Sequence, residues 1–463
     1  MSSPSAAAVG AQPNNKGGAH DEHLFIIIHQ TFELWFKQVL WELDDARRLL
    51  NHEYVPERSV AQVIGRLTRV GEIFRLLVDQ FTILETMSPL GFLEFRDYLF
   101  PASGFQSLQW RKIEQGLGLE AAARADYGER KFCAFLNTEH QKELRESKDE
   151  LPSLHDLVGR WLERTPFTMS SCSATTTTFA PLSAPSSGTT FPSAAAAAAA
   201  KAAAAKASEE AAPAGRMLPP AVLSSLWDHY RNGVAKMIEQ DKAFVREQAR
   251  AELADQHLIA SSSDEEASLS DSPGRLSDNS SAATEGEAEG DSAHSPSSLS
   301  SSAASAVTTG QALLEAKVKK QIEEIDVRCS SLATILDSDK FEAAQARGEV
   351  RFSHRAMQSA LLITLYQDEP ILHQASRLLR AIVDIDELMT LWRQRHSLMV
   401  HRMIGVKMGT GGSSGFHYLT KAAATHRVFK DLFNISSFLI PRHELPPLPP
   451  ELRLQLAFVA EAT

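Results

Sequence analysis

Residues 391–419 read LWRQRHSLMVHRMIGVKMGTGGSSGFHYL, which joins an apolar helical segment to a glycine-rich loop. In this segment and just before it, apolar side chains recur at steps of three and four, the period of one helical face. That face contains Ile382, Ile385, Met389, Trp392, His396, Met399 and Met403. His401 and Arg402 lie off it. We therefore predict that His396 points into the core, or at something that the core holds.

The loop Gly409–Gly415 begins thirteen positions after His396 and reads GTGGSSG. Such a loop is often a flexible connector, and a lone histidine on an apolar face is most often a core imidazole bonded to a carbonyl. Small residues also let consecutive N–H groups wrap around an anion. No Gly-Lys-Ser/Thr closes the loop and no apolar strand precedes it, which excludes a nucleotide P-loop. A mere connector would not need a buried histidine at a fixed distance upstream.

A second segment, residues 20–52, reads HDEHLFIIIHQTFELWFKQVLWELDDARRLLNH. One helical face contains Phe25, His29, Phe32, Phe36, Val39 and Leu43, and further apolar positions widen it to Ile28, Trp35 and Leu40. A helix that is apolar nearly all round is predicted to be buried in a larger bundle. We expect only the end of this helix to be solvated, at Glu42, Asp44, Arg47 and Arg48.

His29 and His396, on two apolar helices, predict a pocket with an imidazole on each of two walls. Metal sites built from protein alone usually need three or four ligands. No H-E-x-x-H or E-x-x-H pair accompanies either histidine. One protein ligand to iron, with one polar residue across a cavity, is the requirement of a heme pocket.

Three blocks of the chain resemble the tryptophan 2,3-dioxygenase family. They are HDEHLFIIIHQTFELWFKQVLWELD, FRDYLFPASGFQSLQWR, and the WRQRH segment followed by HRMIGVKMGTGGSSGFHYL. The resemblance runs from about His20 to Phe167, resumes near Leu223, and continues from about Phe341 to His443. It implies an all-helical, cytoplasmic homotetramer with one heme b per subunit, which uses O₂ to open the indole ring of L-tryptophan and gives N-formyl-L-kynurenine.

The resemblance also implies roles at the substrate. His29 would be the distal histidine that accepts a hydrogen bond from the indole N–H. Phe25 and Phe92 would be apolar walls of the pocket. Arg96 would pair with the substrate carboxylate, and Thr410 would contact the ammonium and carboxylate end.

At the cofactor, the resemblance implies that His396 is the proximal ligand of the heme iron. Ser103 and Gly411 would lie at the porphyrin, and Trp392 would pack on its proximal side. His401 matches no ligand position.

Two of these roles have simpler alternatives. Arg96 is close in sequence to Glu94 and Asp97, so a surface salt bridge would explain it without a substrate. Phe25 and Phe92 are predicted core residues with or without the resemblance. A zwitterion with a flat apolar end does require a guanidinium, aromatic walls and a polar group at the indole nitrogen.

Composition indicates two inserts in the 463-residue chain, whose formal net charge is −11. Residues 261–310 hold nine acidic residues and one arginine, so the rest of the chain is near neutral, which argues against a nucleic-acid surface. Residues 167–215 are rich in Ser, Thr, Pro and Ala. Both stretches lack the apolar content to offset the entropy of ordering, and we expect them to be disordered.

The inserts divide an all-α chain, a helical bundle of the heme dioxygenase type. Leu223 to about His257 and Ala312–Leu336 are predicted to pair as helices, with an irregular stripe of Trp227, Tyr230, Met237 and Phe244. The expected order is an N-terminal segment (1–19), the first part of the core (20–166), an insert (167–215), a helical segment (216–260), a second insert (261–310), the core with the proximal histidine (311–445) and a tail (446–463).

Neither a membrane nor a secretory route is predicted. No segment has the roughly twenty apolar residues of a membrane span, and no basic region followed by an apolar run opens the chain. The few scattered cysteines, Cys133, Cys172 and Cys329, indicate reduced thiols in the cytoplasm.

Residues 1–19 depart from the resembling family, whose members carry there a tyrosine-containing helix that reaches into a neighbouring subunit. Here the segment has no aromatic residue. We expect heme ligation to survive, tryptophan to be held weakly, and states below the tetramer to be populated. Alternatives to the dioxygenase are therefore a heme-binding family member with little turnover, or a helical module whose inserts recruit partners.

Overall fold

The computed structural model describes residues 19–120, 124, 136–164, 220–269, 299–409 and 415–448. No strand occurs in these ranges, and the prediction of an all-α fold is confirmed. The helices are α1 His20–Leu50, α2 Glu57–Asp79, α3 Phe81–Leu84, α4 Pro89–Phe95, α5 Leu108–Leu117, α6 Thr138–Glu150, α7 Leu154–Glu163, α8 Pro220–Leu269, α9 Leu299–Leu336, α10 Ser338–Ala346, α11 His354–Leu365, α12 His373–Ile404, α13 Gly415–Thr425 and α14 Lys430–Asn434. Short 3₁₀ turns cover Arg96–Leu99, Gly104–Gln106, Pro370–Leu372, Ile435–Phe438 and Arg442–Glu444.

The chain forms two compact units, and the first takes its described residues from Met1–Trp227, Asp337–Leu439 and Pro447–Thr463. In its core α2 packs against both α1 and α12, and the short helices α3 and α4 also contact both. The buried face of α12 contains Ile382, Ile385 and Met389, as the spacing predicts. Each such side chain contributes roughly 1.5–3 kcal/mol on burial. This packing brings the two histidine-bearing helices to a common set of neighbours.

The end of α1 is solvated only in part: Arg48 is exposed and Asp44 is half-buried, but two of the predicted solvent-facing charges are not exposed. Glu42 is buried and accepts hydrogen bonds from Gln38 and from Arg69 of α2. Arg47 is also buried and donates to the carbonyls of Leu151 and Pro152. The prediction was wrong for Glu42 and Arg47, because the partners of these two charges include residues of other segments.

One ridge of α1 is exposed, although the helix was expected to be buried all round. Ile27, Leu34 and Trp41 recur every seventh residue, and their exposures are 44%, 68% and 73%. Apolar residues at this spacing share one side of a helix. Helix α1 thus has two apolar faces. The fold of the single chain buries one of them and leaves the ridge of Ile27, Leu34 and Trp41 exposed.

The second unit comprises Asp228–Leu336 and Ile440–Pro446. Here α8 and α9 run antiparallel, since ion pairs join Lys242 to Asp326 at 2.6 Å and Glu252 to Lys317 at 3.0 Å. Tyr230, Val234 and Ile238 form its core, whereas Phe244 of the predicted stripe is exposed.

Disorder was predicted for all of residues 261–310, but both ends of this stretch are helical: α8 extends to Leu269 and α9 begins at Leu299. A helix that has formed extends at small cost per residue, so low apolar content does not by itself end it. The centre of this insert, residues 270–298, lies outside the described residues, as do residues 1–18 and 165–219. None of the helices in the described ranges is long and apolar enough to cross a membrane.

Candidate functional site

Three predicted substrate residues meet where α1 packs on α4. The ring of Phe25 lies 4.1 Å from that of His29 and 5.7 Å from that of Phe92, measured between centroids. Phe95, which is fully buried, contacts both phenylalanines at 5.5 and 5.3 Å. The structure thus brings Phe25, Phe92 and His29 together, and the role of the two phenylalanines as apolar walls of a substrate pocket stays a prediction.

The tautomer of His29 follows from its hydrogen bond. Its Nδ1 lies 2.7 Å from the carbonyl oxygen of Phe25, one helical turn earlier. A carbonyl can only accept, so Nδ1 carries the proton and Nε2 is left as an acceptor. Burial lowers the pKa of His29, and the Phe25 carbonyl and the charge of Glu33 oppose this shift. His29 is nevertheless exposed to solvent on part of its surface.

His396 of α12 lies in a second group of aromatic rings. The ring of Phe81 stacks on His396 at 5.9 Å, and Trp392 lies at 5.4 Å, one turn earlier. Burial, aided by the charge of His29, lowers the pKa of His396 from 6.5 to about 4. His29 is therefore close enough to His396 to influence its protonation. His396 is neutral at pH 7, and among the described residues its ring nitrogens have no hydrogen-bond partner, so a lone pair is available to a metal.

Arg96 reaches the start of the glycine-rich loop. Its Nη2 donates to the carbonyl oxygen of Met408, and its Nε is buried without a partner. No described residue forms an ion pair with it, which leaves the salt bridge to Glu94 or Asp97 without support. Gly405 ends α12 with a φ of +60°, a conformation that favours glycine, and turns the chain toward Arg96. Thr410 and Gly411 lie outside the described residues.

Ser103 begins the 3₁₀ turn Gly104–Gln106 that leads into α5. Its hydroxyl accepts a hydrogen bond from the N–H of Phe105 at 3.4 Å, while its own N–H donates to Gln106. Phe105 lies beneath the guanidinium of Arg111 at 5.5 Å. This places Ser103 near α5, whose Trp110 packs on Trp392 at 4.4 Å.

Sequence reasoning missed a buried ionic cluster behind the Trp110–Trp392 pair. Glu114 binds three arginines, Arg111, Arg124 and Arg393. The indole N–H of Trp392 and the Nε of Arg111 are buried and have no acceptor. The available signal was that each tryptophan is directly followed by an arginine, in QWR and in LWR.

The sequence model of the tryptophan 2,3-dioxygenase family matches residues 7–179 and 297–439. Tryptophan 2,3-dioxygenase from Bdellovibrio bacteriovorus is 34% identical over 95% of this chain and 91% of its own length. That from Dictyostelium discoideum is 35% identical over 95% of this chain and 82% of its own, and that from Anopheles gambiae 33% over 95% and 84%. The chain belongs to the tryptophan 2,3-dioxygenase family.

Members of the tryptophan 2,3-dioxygenase family are oxidoreductases, and this chain is one of them. The comparisons do not favour the alternative of a family member without turnover. The family match leaves out residues 180–296, which contain most of the first predicted insert and the larger part of the second. The blocks that suggested the family lie within the matched ranges, as do Phe25, His29, Arg96 and His396.

Proposed function

We propose that this protein opens the indole ring of L-tryptophan with O₂ to give N-formyl-L-kynurenine, at a site that includes His29 of α1 and His396 of α12. The observation that carries this proposal is a pair of neighbouring imidazoles, His29 and His396, whose pKa values are both lowered so that both are neutral at pH 7. Phe25 and Phe92 pack together beside His29, and the guanidinium of Arg96 binds the carbonyl oxygen of Met408 at the start of the glycine-rich loop. Such a site suits a flat, zwitterionic substrate.

The residues present fit one heme b per subunit. His396 is half-buried, neutral and without a hydrogen-bond partner in the described ranges, as a neutral axial ligand must be. The orphaned N–H groups of Trp392 and Arg111 need acceptors, which carboxylates of a porphyrin would supply. Ser103 and Gly411 would line the porphyrin. When bound, the heme iron supplies the chemistry with O₂.

The protein's part is to orient the substrate. Arg96 would donate to the substrate carboxylate, with Thr410 beside it. Phe25 and Phe92 would hold the indole ring and exclude water from it. Because Nδ1 of His29 carries the proton, Nε2 can accept the hydrogen bond of the indole N–H and keep that proton in place.

The same proposal includes a cytoplasmic homotetramer, as the family resemblance implies. The exposed ridge of Ile27, Leu34 and Trp41 supports an assembly, because an apolar ridge of this size is otherwise costly to leave in water.

Product analysis tests the function directly. Purified protein loaded with hemin, reduced, and given L-tryptophan and ¹⁸O₂ should form N-formyl-L-kynurenine that contains both labelled atoms. His401→Ala is the matched control, because this exposed histidine on the same helix matches no ligand position. An active His396→Ala variant, or a product with one labelled atom, would contradict the proposal.

A further inference from the structure

Glu114 is the most heavily paired carboxylate of the described residues. It is 1% exposed, and its Oε2 binds Arg111 at 3.0 Å and Arg124 at 2.5 Å. Its Oε1 binds Arg393 at 3.2 Å, and Nδ1 of His426 lies 3.7 Å away. Burial by itself would raise the pKa of Glu114, but the charges of Arg111 and Arg124 outweigh this and hold the pKa well below its usual range. Glu114 is therefore ionised.

Glu114 binds the arginines that directly follow Trp110 and Trp392, whose rings contact each other at a tilt. Arg111 comes directly after Trp110, and Arg393 directly after Trp392. The guanidinium of Arg393 also lies over the ring of Trp110 at 5.5 Å and donates to the carbonyl oxygen of His426 at 2.9 Å. The backbone of α5 at Trp110 and that of α12 at Trp392 are thus tied through Glu114.

The link from Glu114 to the site continues through the contacts between these rings. Trp110 lies 4.4 Å from Trp392, and Trp392 lies 5.4 Å from His396. The two orphaned donors, Nε1 of Trp392 and Nε of Arg111, belong to the same group of residues. A change in the distance between α5 and α12 would move the proximal imidazole and both donors together.

We infer that Glu114 is a positioning residue for the proximal side of the site: through Arg111 and Arg393 it fixes Trp110 against Trp392, and so fixes His396 and the two donors that would hold the cofactor. The inference rests on the proposed role of His396. Positioning partners of this kind typically change the affinity of a metal site by about 10–100-fold when they are altered.

The test compares Glu114→Asp with Glu42→Asp. Both substitutions keep the charge and shorten a buried carboxylate that binds at least two arginines, but Glu42 contacts neither tryptophan. Two quantities are measured on the hemin-loaded proteins: the rate of hemin transfer to excess apomyoglobin, and the iron–histidine stretching band of the reduced protein by resonance Raman. The melting temperature of each variant is measured alongside.

Glu114→Asp should lose hemin at least about tenfold faster than wild type and shift or broaden the iron–histidine band. Glu42→Asp should lower the melting temperature without either change. If both variants keep the wild-type rate and band while their melting temperatures fall, Glu114 is a structural ion-pair residue and the inference is wrong. A wild-type protein that takes up no hemin, or shows no iron–histidine band, would overturn the proposed function itself. Glu114→Gln, which keeps the side-chain length and removes the charge, serves if the aspartate variant does not fold.

Discussion

Protonation of His396 should destabilise the folded chain in the absence of hemin. The pKa of this imidazole is lowered from 6.5 to about 4, so the folded state binds its proton less readily than the unfolded state. The free energy of unfolding therefore begins to decrease as the pH falls through 6.5, and the decrease due to His396 is complete below pH 4. By linkage, protonation of His396 lowers the free energy of unfolding by about 2 kcal/mol at pH 5 and by about 3 kcal/mol below pH 4.

Urea unfolding followed by circular dichroism at pH 7 and pH 5 measures this effect. Between these pH values, the free energy of unfolding of His396→Leu should decrease by about 2 kcal/mol less than that of wild type. The other titrating groups are common to both proteins, so the difference is due to His396. His401→Leu, which removes an exposed imidazole from the same helix, is the control and should follow wild type. Equal losses in wild type and His396→Leu would refute the burial of His396.

Three further predictions concern the substrate and the assembly. Arg96→Ala should weaken tryptophan binding by roughly 2–5 kcal/mol while hemin stays bound, as a titration of the Soret band would show; unchanged binding would exclude the carboxylate role. His29→Ala should cost less, about 0.5–1.5 kcal/mol, and should discriminate less against N-methylated indole; a variant with undiminished discrimination would argue against a hydrogen bond at Nε2. Trp41→Glu should reduce the oligomer size measured by light scattering, with Glu53→Gln as an exposed control; a variant that keeps the wild-type mass would show that the ridge is not an interface.

Apolar spacing was enough to predict the helical fold and the buried face of α12. The spacing of apolar residues can be read within one segment without knowing its partners. The stripe that includes Ile382, Ile385 and Met389 is buried as expected. The same spacing could not say what covers an apolar face. For that reason it did not distinguish the buried side of α1 from the exposed ridge that includes Trp41.

Charges were the main source of error, because their partners are distant in sequence. Glu42 looked like the solvated end of a helix, and only α2 supplies the Arg69 that pairs with it. Glu114 and Arg393 are 279 residues apart, and no local pattern connects them. The roles of Arg96 and Ser103 came from family resemblance, since a single arginine or serine carries no spacing signal of its own.

The central claim is that His396 is the protein ligand of the heme iron. Its most direct test is the iron–histidine stretching band of the reduced, hemin-loaded protein, recorded for wild type and for His396→Gly with and without added imidazole. We expect the band in wild type, its loss in the variant, and its return when imidazole fills the place of the missing side chain. A reduced His396→Gly protein that keeps the wild-type band without imidazole would contradict the claim.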